Sequence, residues 1–286
     1  MNKIPLEKRV QILTALAEGS SMRSTARMAL VSINTVVKLL IEAGQACARY
    51  QHEKLRNLKC RRLQLDEIWS FCYSKEKNVP KAHKGELGFG DVWTWTAIDA
   101  ETKLIPCWLV GWRDGCHATE FVRDLASRLS NRVQLTTDGL KVYIEAVEAA
   151  FGGEVDYAML VKLYANPGAI EDAETRYSPG VCCGTRRKKI SGDPDRDHVS
   201  TSYAERQNLT MRMRMRRFTR LTNAFSKKIE NLEHAVALYF MHYNFIRVHQ
   251  TLKTTPAVAA GVTDHRWTME DLIAMMERLQ ENENSK

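Results

Sequence analysis

Long apolar runs are missing from this 286-residue sequence. No stretch approaches the roughly 18 residues a membrane span needs, and the opening MNKIPLEKRV lacks the apolar core of a signal peptide. Cysteine is scarce and badly spaced for metal work. The seven cysteines are an odd number with no CxxC pair, and the adjacent Cys182 and Cys183 have no His/Cys partners at zinc-finger spacing. A structural zinc site is therefore not expected, and the thiols point to a reducing, cytoplasmic location. What remains is 44% apolar and 27% charged, the balance of a soluble globular chain long enough for about two domains.

Acidic residues are short in two places. Residues 1–62 carry 12 Lys/Arg against 4 Asp/Glu, and residues 186–228 carry 13 against 4. The chain nets only +8, so everything outside these blocks is acidic, at net −9. Two cationic segments around an acidic middle suggest two contacts with a polyanion, although two solvated basic faces would look the same.

In the first block, Pro5 can open a helix carrying Leu6, Val10, Leu13 and Leu16 at helical spacing, and Gly19 suits its stop. A second short helix can start at Ser21. A third is capped by Ser32, with Val36, Val37 and Leu40 inward and Asn34, Thr35 and Lys38 outward. This is a helix-turn-helix pattern, whose third helix fits a DNA major groove with its first polar side chains at base edges. The turn Ala29-Leu30-Val31 lacks the common glycine. A small packing bundle is the plainer alternative. Residues 47–62 read as a basic linker of weak apolar periodicity.

Leu63–Tyr73 reads as a strand, and alternation puts Asp66 and Glu67 on opposite faces, so only one of them is expected in a given site. Asp91–Ile98 and Lys103–Gly111 follow as strands about a turn at Asp99. Then come a helix at Thr119–Leu129, a strand at Arg132–Thr137 ending on Asp138-Gly139, a helix at Val142–Phe151 and a strand at Tyr157–Leu163. The layout is α/β with a mixed sheet. Residues 164–199, with two Pro-Gly pairs and the run Arg186-Arg187-Lys188-Lys189, read as a long insertion loop.

The stretch His198–Arg220, HVSTSYAERQNLTMRMRMRRFTR, holds one carboxylate, Glu205, and six arginines from Arg206 onward. Capping residues precede good helix formers, so a helix is expected through Arg216 and Arg217, although Met-Arg-Met-Arg-Met alternates like a strand. The methionines suit core packing and the arginines suit phosphates. A long amphipathic helix over Asn231–Ile246 follows. A last helix opens on Thr268-Met269-Glu270-Asp271, a capping-box pattern, with Leu272, Met275, Met276 and Leu279 on one face.

Three carboxylates stand out in order: Asp66 on the first strand, Asp138 ending the fourth, and Glu205 on a later helix. This order resembles the Asp-Asp-Glu transposases and retroviral integrases of RNase H-like fold. LQLDEIWSF, LTTDGLKVY, STSYAERQNLTMRMRMRRFTRLTNAFSKK and YNFIRVHQTLKTTPAVAAG resemble the bacterial insertion-sequence-one transposase family over residues 57–262. Relatives often add an N-terminal zinc finger, for which this chain lacks the cysteines. The resemblance implies a helix-turn-helix domain at 1–46, a linker at 47–62, an RNase H-like catalytic domain at 63–262 and a C-terminal helical extension at 263–286.

The same resemblance implies that Asp66, Asp138 and Glu205 hold two Mg²⁺ or Mn²⁺ ions, hard cations that favour carboxylate oxygen. The expected partners are double-stranded transposon-end and target DNA. Asn34, Thr35 and Lys38 would contact it from one domain, and Arg186, Arg187, Lys188, Lys189, Asn208, Arg212, Arg216, Arg217 and Arg220 from the other. A homo-oligomer on DNA, in a bacterial cytoplasm and without membrane contact, completes the expectation. Arg247 and His249 could support the site. The competing readings are a DNA-binding regulator, which needs no carboxylate set, a metal-dependent nuclease that hydrolyses without joining, and a decayed copy.

Overall fold

The structure is a computed structural model that describes residues 4–164, 182–219 and 223–284. Three helices open it: α1 (Leu6–Ala17), α2 (Met22–Met28) and α3 (Ile33–Lys54). Ser21 and Ser32 cap α2 and α3, each accepting a hydrogen bond from the backbone N–H three residues on. Helices α2 and α3 diverge by 112°. In the turn between them Leu30 takes φ +52° and is 83% exposed, the left-handed position where glycine is usual.

Helix α3 runs eight residues past the expected domain end at 46, so the first half of the expected linker is helix. Its inner stripe around this point is Gly44, Cys47 and Gln51, too few large apolar residues to mark a helix face in the sequence. Gln51 is buried because its amide donates to the Cys47 and Ala237 carbonyls and accepts from Asn244. Asn244 in turn exchanges hydrogen bonds with the backbone of Ile105, which ties α3, the later helices and the sheet together.

Gly44 is the point of closest approach to the long helix that follows the basic stretch, α7 (Ile229–Met241). A Cβ there would lie 2.3 Å from His234 Cβ and 2.5 Å from its Cα. Gly44→Ala is therefore expected to force the helices apart and destabilise the protein by about 1–3 kcal/mol despite alanine's better helix propensity. An unchanged or higher midpoint in thermal denaturation would contradict that packing.

The sheet has six strands in the order β3-β2-β1-β4-β5-β6. They are β1 (Arg62–Cys72), β2 (Gly90–Asp99), β3 (Trp108–Gly111), β4 (Val133–Thr137), β5 (Val155–Tyr164) and β6 (Cys182–Ser191). Strands β1, β4 and β5 are parallel neighbours, and the other pairings are antiparallel. Strand β3 starts later than the expected Lys103, beyond Pro106, which has no N–H for a ladder. Helices α4 (Gly115–Arg128) and α5 (Val142–Phe151) supply the crossovers on either side of β4.

The stretch 164–199, expected as a loop, contains β6, paired with β5 from Tyr157 to Tyr164. It was not legible as a strand because it is an edge strand with both faces largely exposed, so nothing selects alternation. The Pro-Gly pairs at 167–168 and 179–180 lie outside the described residues.

The basic helix α6 (Ser202–Arg214) ends three residues short of the expected Arg217. Met215 is extended and Arg216–Phe218 form one 3₁₀ turn. Met211, Met215 and Phe218 are all buried, at a spacing that an unbroken helix would also have kept on one face, so their burial does not account for the break. Helix α7 continues into a π turn, His242–Ile246. Helix α8 (Pro256–Ala259) is a single turn capped by Thr255, and α9 (Met269–Asn284) opens with the reciprocal Thr268–Asp271 bonds of a capping box. Helix α9 packs on α1 and α3, with Arg9 of α1 ion-paired to Glu277. Among the described residues no single helix is long and apolar enough to cross a membrane.

Candidate active site

Asp66 and Asp138 meet because of strand register. Gln64 of β1 pairs with Thr136 of β4. Two residues further along, Asp66, inside β1, comes level with Asp138, just past the end of β4, where the β1–β4 pairing has stopped. A parallel sheet opens its crevice at such a place.

Helix α6 is laid over this crevice by Gln64, on the same face of β1 as Asp66. The Gln64 Oε1 accepts from the Tyr203 and Ala204 N–H groups at 2.8 and 3.2 Å, so it caps α6 from outside. That frees the N-terminal Thr201 hydroxyl, which donates to Glu205 Oε1 at 2.5 Å. The other oxygen, Oε2, takes an ion pair from Lys162 Nζ, also 2.5 Å away. One turn on, Asn208 Nδ2 donates to Asp66 Oδ2 at 2.9 Å.

Asp66, Asp138, Lys162, Thr201 and Glu205 line one cavity of about 410 Å³. A larger one, about 820 Å³, lies apart from it between the N-terminal helices and α7.

Of Asp66 and Glu67 only Asp66 lines this cavity, as alternation leads one to expect, yet Glu67 still joins the carboxylate cluster. Asp66, Glu67 and Asp138 each present an oxygen within 4.8 Å of the others. Glu67 does leave β1 on the opposite face, where Arg113 pairs with it at 2.6 Å and Tyr143 donates to it at 3.1 Å. Past Gln64 no ladder with β4 separates the two faces, so their carboxylates crowd one another.

This crowding sets the electrostatics. Burial raises Asp66 to about 8, helped by the negative charges of Glu67, Asp138 and Glu205 and resisted by a hydrogen bond from the Glu67 N–H. Glu67 is raised as well, by burial and then by Asp138, with Arg113 and Tyr143 opposing. Burial opposes the Lys162 ammonium, but its hydrogen bond to Glu205 and the Glu205 charge together outweigh that and leave it above its ordinary value. The clustered carboxylate oxygens of Asp66, Glu67 and Asp138 fit a hard divalent cation, whose charge would offset both the burial and the mutual repulsion that raise Asp66.

The expected DNA-contacting residues divide. Arg186, Arg187, Lys188 and Lys189 are exposed along β6, Arg216 is exposed, and Asn34 and Lys38 are exposed at the start of α3. Thr35 is half-buried, its hydroxyl paired with Ser32. Asn208 is spent on Asp66. Arg212 is half-buried, and Arg217 is turned inward, donating to the Ser226 hydroxyl, with burial lowering its pKa. Arg220 lies outside the described residues. Arg247 and His249 do not line the carboxylate cavity. Sequence reasoning set Glu67 aside in favour of Asp66 and missed Lys162 and Thr201. A lysine in the otherwise apolar strand AMLVKLY was the available signal for Lys162.

The fold and site define a class: an α/β protein with a mixed sheet in which two parallel strands, together with a helix laid over them, gather carboxylates around one cavity. No protein-family model matches the chain, and no curated protein does. Solved structures that are similar to it include two transposase complexes. One is a piggyBac transposase synaptic complex with hairpin DNA, at 9% identity and a TM-score of 0.41, over 96% of this chain and 72% of that one. The other is the Mos1 strand transfer complex, at 12% identity and a TM-score of 0.23, over 83% and 78%. At these scores the functional reading rests on the chain's own residues.

Proposed function

We propose that this chain is a transposase of the bacterial insertion-sequence-one kind, with an RNase H-like catalytic domain. It binds the terminal inverted repeats of its element, nicks them to free 3′-OH ends and joins those ends to target DNA. The observation that carries this reading is that Asp66, Asp138 and Glu205, far apart in sequence, line one cavity. A regulator has no use for such a set.

Divalent ions bound there, Mg²⁺ or Mn²⁺, supply a polarised attacking oxygen and a stabilised leaving oxygen. The carboxylates of Asp66, Asp138 and Glu205 hold them. Asn208 fixes Asp66, and Thr201 fixes Glu205. In the first step water attacks an end phosphodiester and the 3′ oxygen departs as a free 3′-OH. In the second, that 3′-OH attacks a target phosphodiester, and one P–O bond replaces another without ATP. The exposed cations of β6 and Arg216 face the polyanion, and the remaining expected contacts, Arg212, Arg217 and Arg220, belong to the same basic stretch. Assembly as a homo-oligomer on DNA, in the cytoplasm, is part of this reading.

The angle between α2 and α3 falls in the range used by helix-turn-helix readers and supports that role for the N-terminal helices. Replacing Asn34 or Lys38 by Ala is expected to weaken specific end binding by about 1–3 kcal/mol where a base contact is lost, and less for a phosphate contact. Thr35→Ala also removes the bond to Ser32 and needs a stability control. Gel-shift titration against flanking and scrambled DNA checks this, and equal affinities throughout would end the groove-reading role.

The decisive assay follows labelled DNA carrying the gene's flanking sequences with Mg²⁺, Mn²⁺ or EDTA. Metal-dependent nicking plus joined products is the expected result. Nicking alone favours a nuclease, and specific binding without cleavage favours a regulator.

A further inference from the structure

Lys162 has no part in the triad, yet it is the one cation among the described residues lining the carboxylate cavity. Its ammonium sits 2.5 Å from Glu205 Oε2, while Thr201 occupies Oε1. Glu205 thus has both oxygens engaged before any metal arrives. Asp66 is engaged as well, by Asn208 on one oxygen and the Glu67 N–H on the other. These last donors are neutral and compatible with a cation on the remaining lone pairs. An ammonium on Glu205 is not, since it and a divalent ion repel each other at that distance.

We propose that Lys162 is an exchangeable counter-ion. It neutralises Glu205 in the metal-free protein, leaves it when a divalent cation binds, and then faces the DNA phosphate brought into the same cavity. Strand β5 fixes its backbone on the cavity wall, between Val161 and Leu163, both paired to β6. The four-carbon side chain is about one-third exposed, at 31%, and free to swing without moving the sheet. The ion pair is partly solvated, so it is weak enough to be displaced. The exchange couples metal to DNA: a loaded site releases a cation where a phosphate must sit, and an empty site holds that cation back.

This inference rests on the metal-binding reading of the triad, and its test separates the two. Mn²⁺ binding to the full-length protein is measured by isothermal titration calorimetry and by electron paramagnetic resonance of the free ion. Lys162→Met, which keeps the length and removes the charge, is expected to lower the Mn²⁺ Kd about two- to fivefold, the range a partly exposed ion pair spans. Lys162→Arg keeps the charge and is expected to stay near wild type. Asp138→Asn should abolish binding.

DNA affinity is then compared in Ca²⁺ and in EDTA on a duplex carrying the gene's flanking sequence. Lys162→Met should weaken binding in Ca²⁺ and leave it unchanged in EDTA. Equal Mn²⁺ affinity in wild type and Lys162→Met, with Asp138→Asn still losing it, overturns the counter-ion role alone. Equal loss of DNA affinity in Ca²⁺ and EDTA overturns the exchange. No Mn²⁺ binding by the wild type overturns the metal-site reading beneath both.

Discussion

Asp66→Asn, Asp138→Asn and Glu205→Gln will each lower metal-dependent nicking by roughly 10³-fold or more, the scale on which single preorganised electrostatic groups act in a reacting site. Each change keeps the side-chain volume and removes one negative charge from a cavity built from few groups. Binding to flanking DNA is expected to stay close to wild type. Apart from Lys162, the cations proposed to meet phosphates lie elsewhere, on β6, at Arg216 and at the start of α3, and loss of a carboxylate repels DNA less.

Asp66→Asn is a clean substitution for a further reason. Asn208 Oδ1 is buried and makes no hydrogen bond, so a turn of the Asn208 amide supplies the acceptor that the new amide needs. Nicking rates on labelled duplex, beside gel-shift affinities for the same duplex, check the prediction. A variant that cleaves at the wild-type rate removes its residue from the site. One that loses binding and cleavage together points to a folding defect, which circular dichroism would reveal.

The second large effect concerns stability without metal. The Asp66 carboxyl sits at about 8 in the folded protein, against about 4 for an unfolded chain. A raised folded value means that the folded state binds the proton more tightly. The contribution of Asp66 to stability is therefore fully present below about pH 4 and is lost progressively as pH rises toward about 8. In EDTA at pH 8, Asp66→Asn is expected to be more stable than the wild type by about 2–4 kcal/mol, because it cannot acquire the buried charge. The difference should shrink to near zero at pH 4.5. Mn²⁺ at pH 8 should reverse the order, stabilising the wild type by mass action and leaving the variant unchanged. Urea denaturation at the two pH values, with and without Mn²⁺, measures all four quantities. A variant less stable than wild type in EDTA at pH 8 would mean that Asp66 carries no buried electrostatic penalty.

Much of this arrangement was legible from local chemistry. The caps at Ser21, Ser32 and Thr268, the strand at Leu63–Tyr73 and the helix at Val142–Phe151 all follow from signals spanning fewer than about a dozen residues. So does the placement of Asp66 inside one strand and Asp138 at the end of another. Errors arose where a long-range contact overrode the local signal. Edge pairing made a strand of residues without alternation at β6. Helix α6 stops at Arg214 although its propensities favoured continuing, and nothing in the structure explains that stop. Packing against α7 extended α3 past residue 46 through Cys47 and the polar Gln51, where apolar residues are too sparse to mark a helix face.

The sequence by itself determined which groups are available: three spaced carboxylates, two cationic segments and the caps that start the helices over them. Periodicity and capping act between near neighbours, so they can be read along the chain. Only the tertiary structure decided how those groups pair. The parallel register of β1 and β4 brought Asp66 level with Asp138, and Gln64 docked α6 so that Glu205 reached the same cavity. The fold also drew Glu67 into the cluster from the opposite face, turned Arg217 inward, and set Lys162 against a glutamate 43 residues away. Coulomb and hydrogen-bond partners are chosen by distance in space, which sequence separation does not encode.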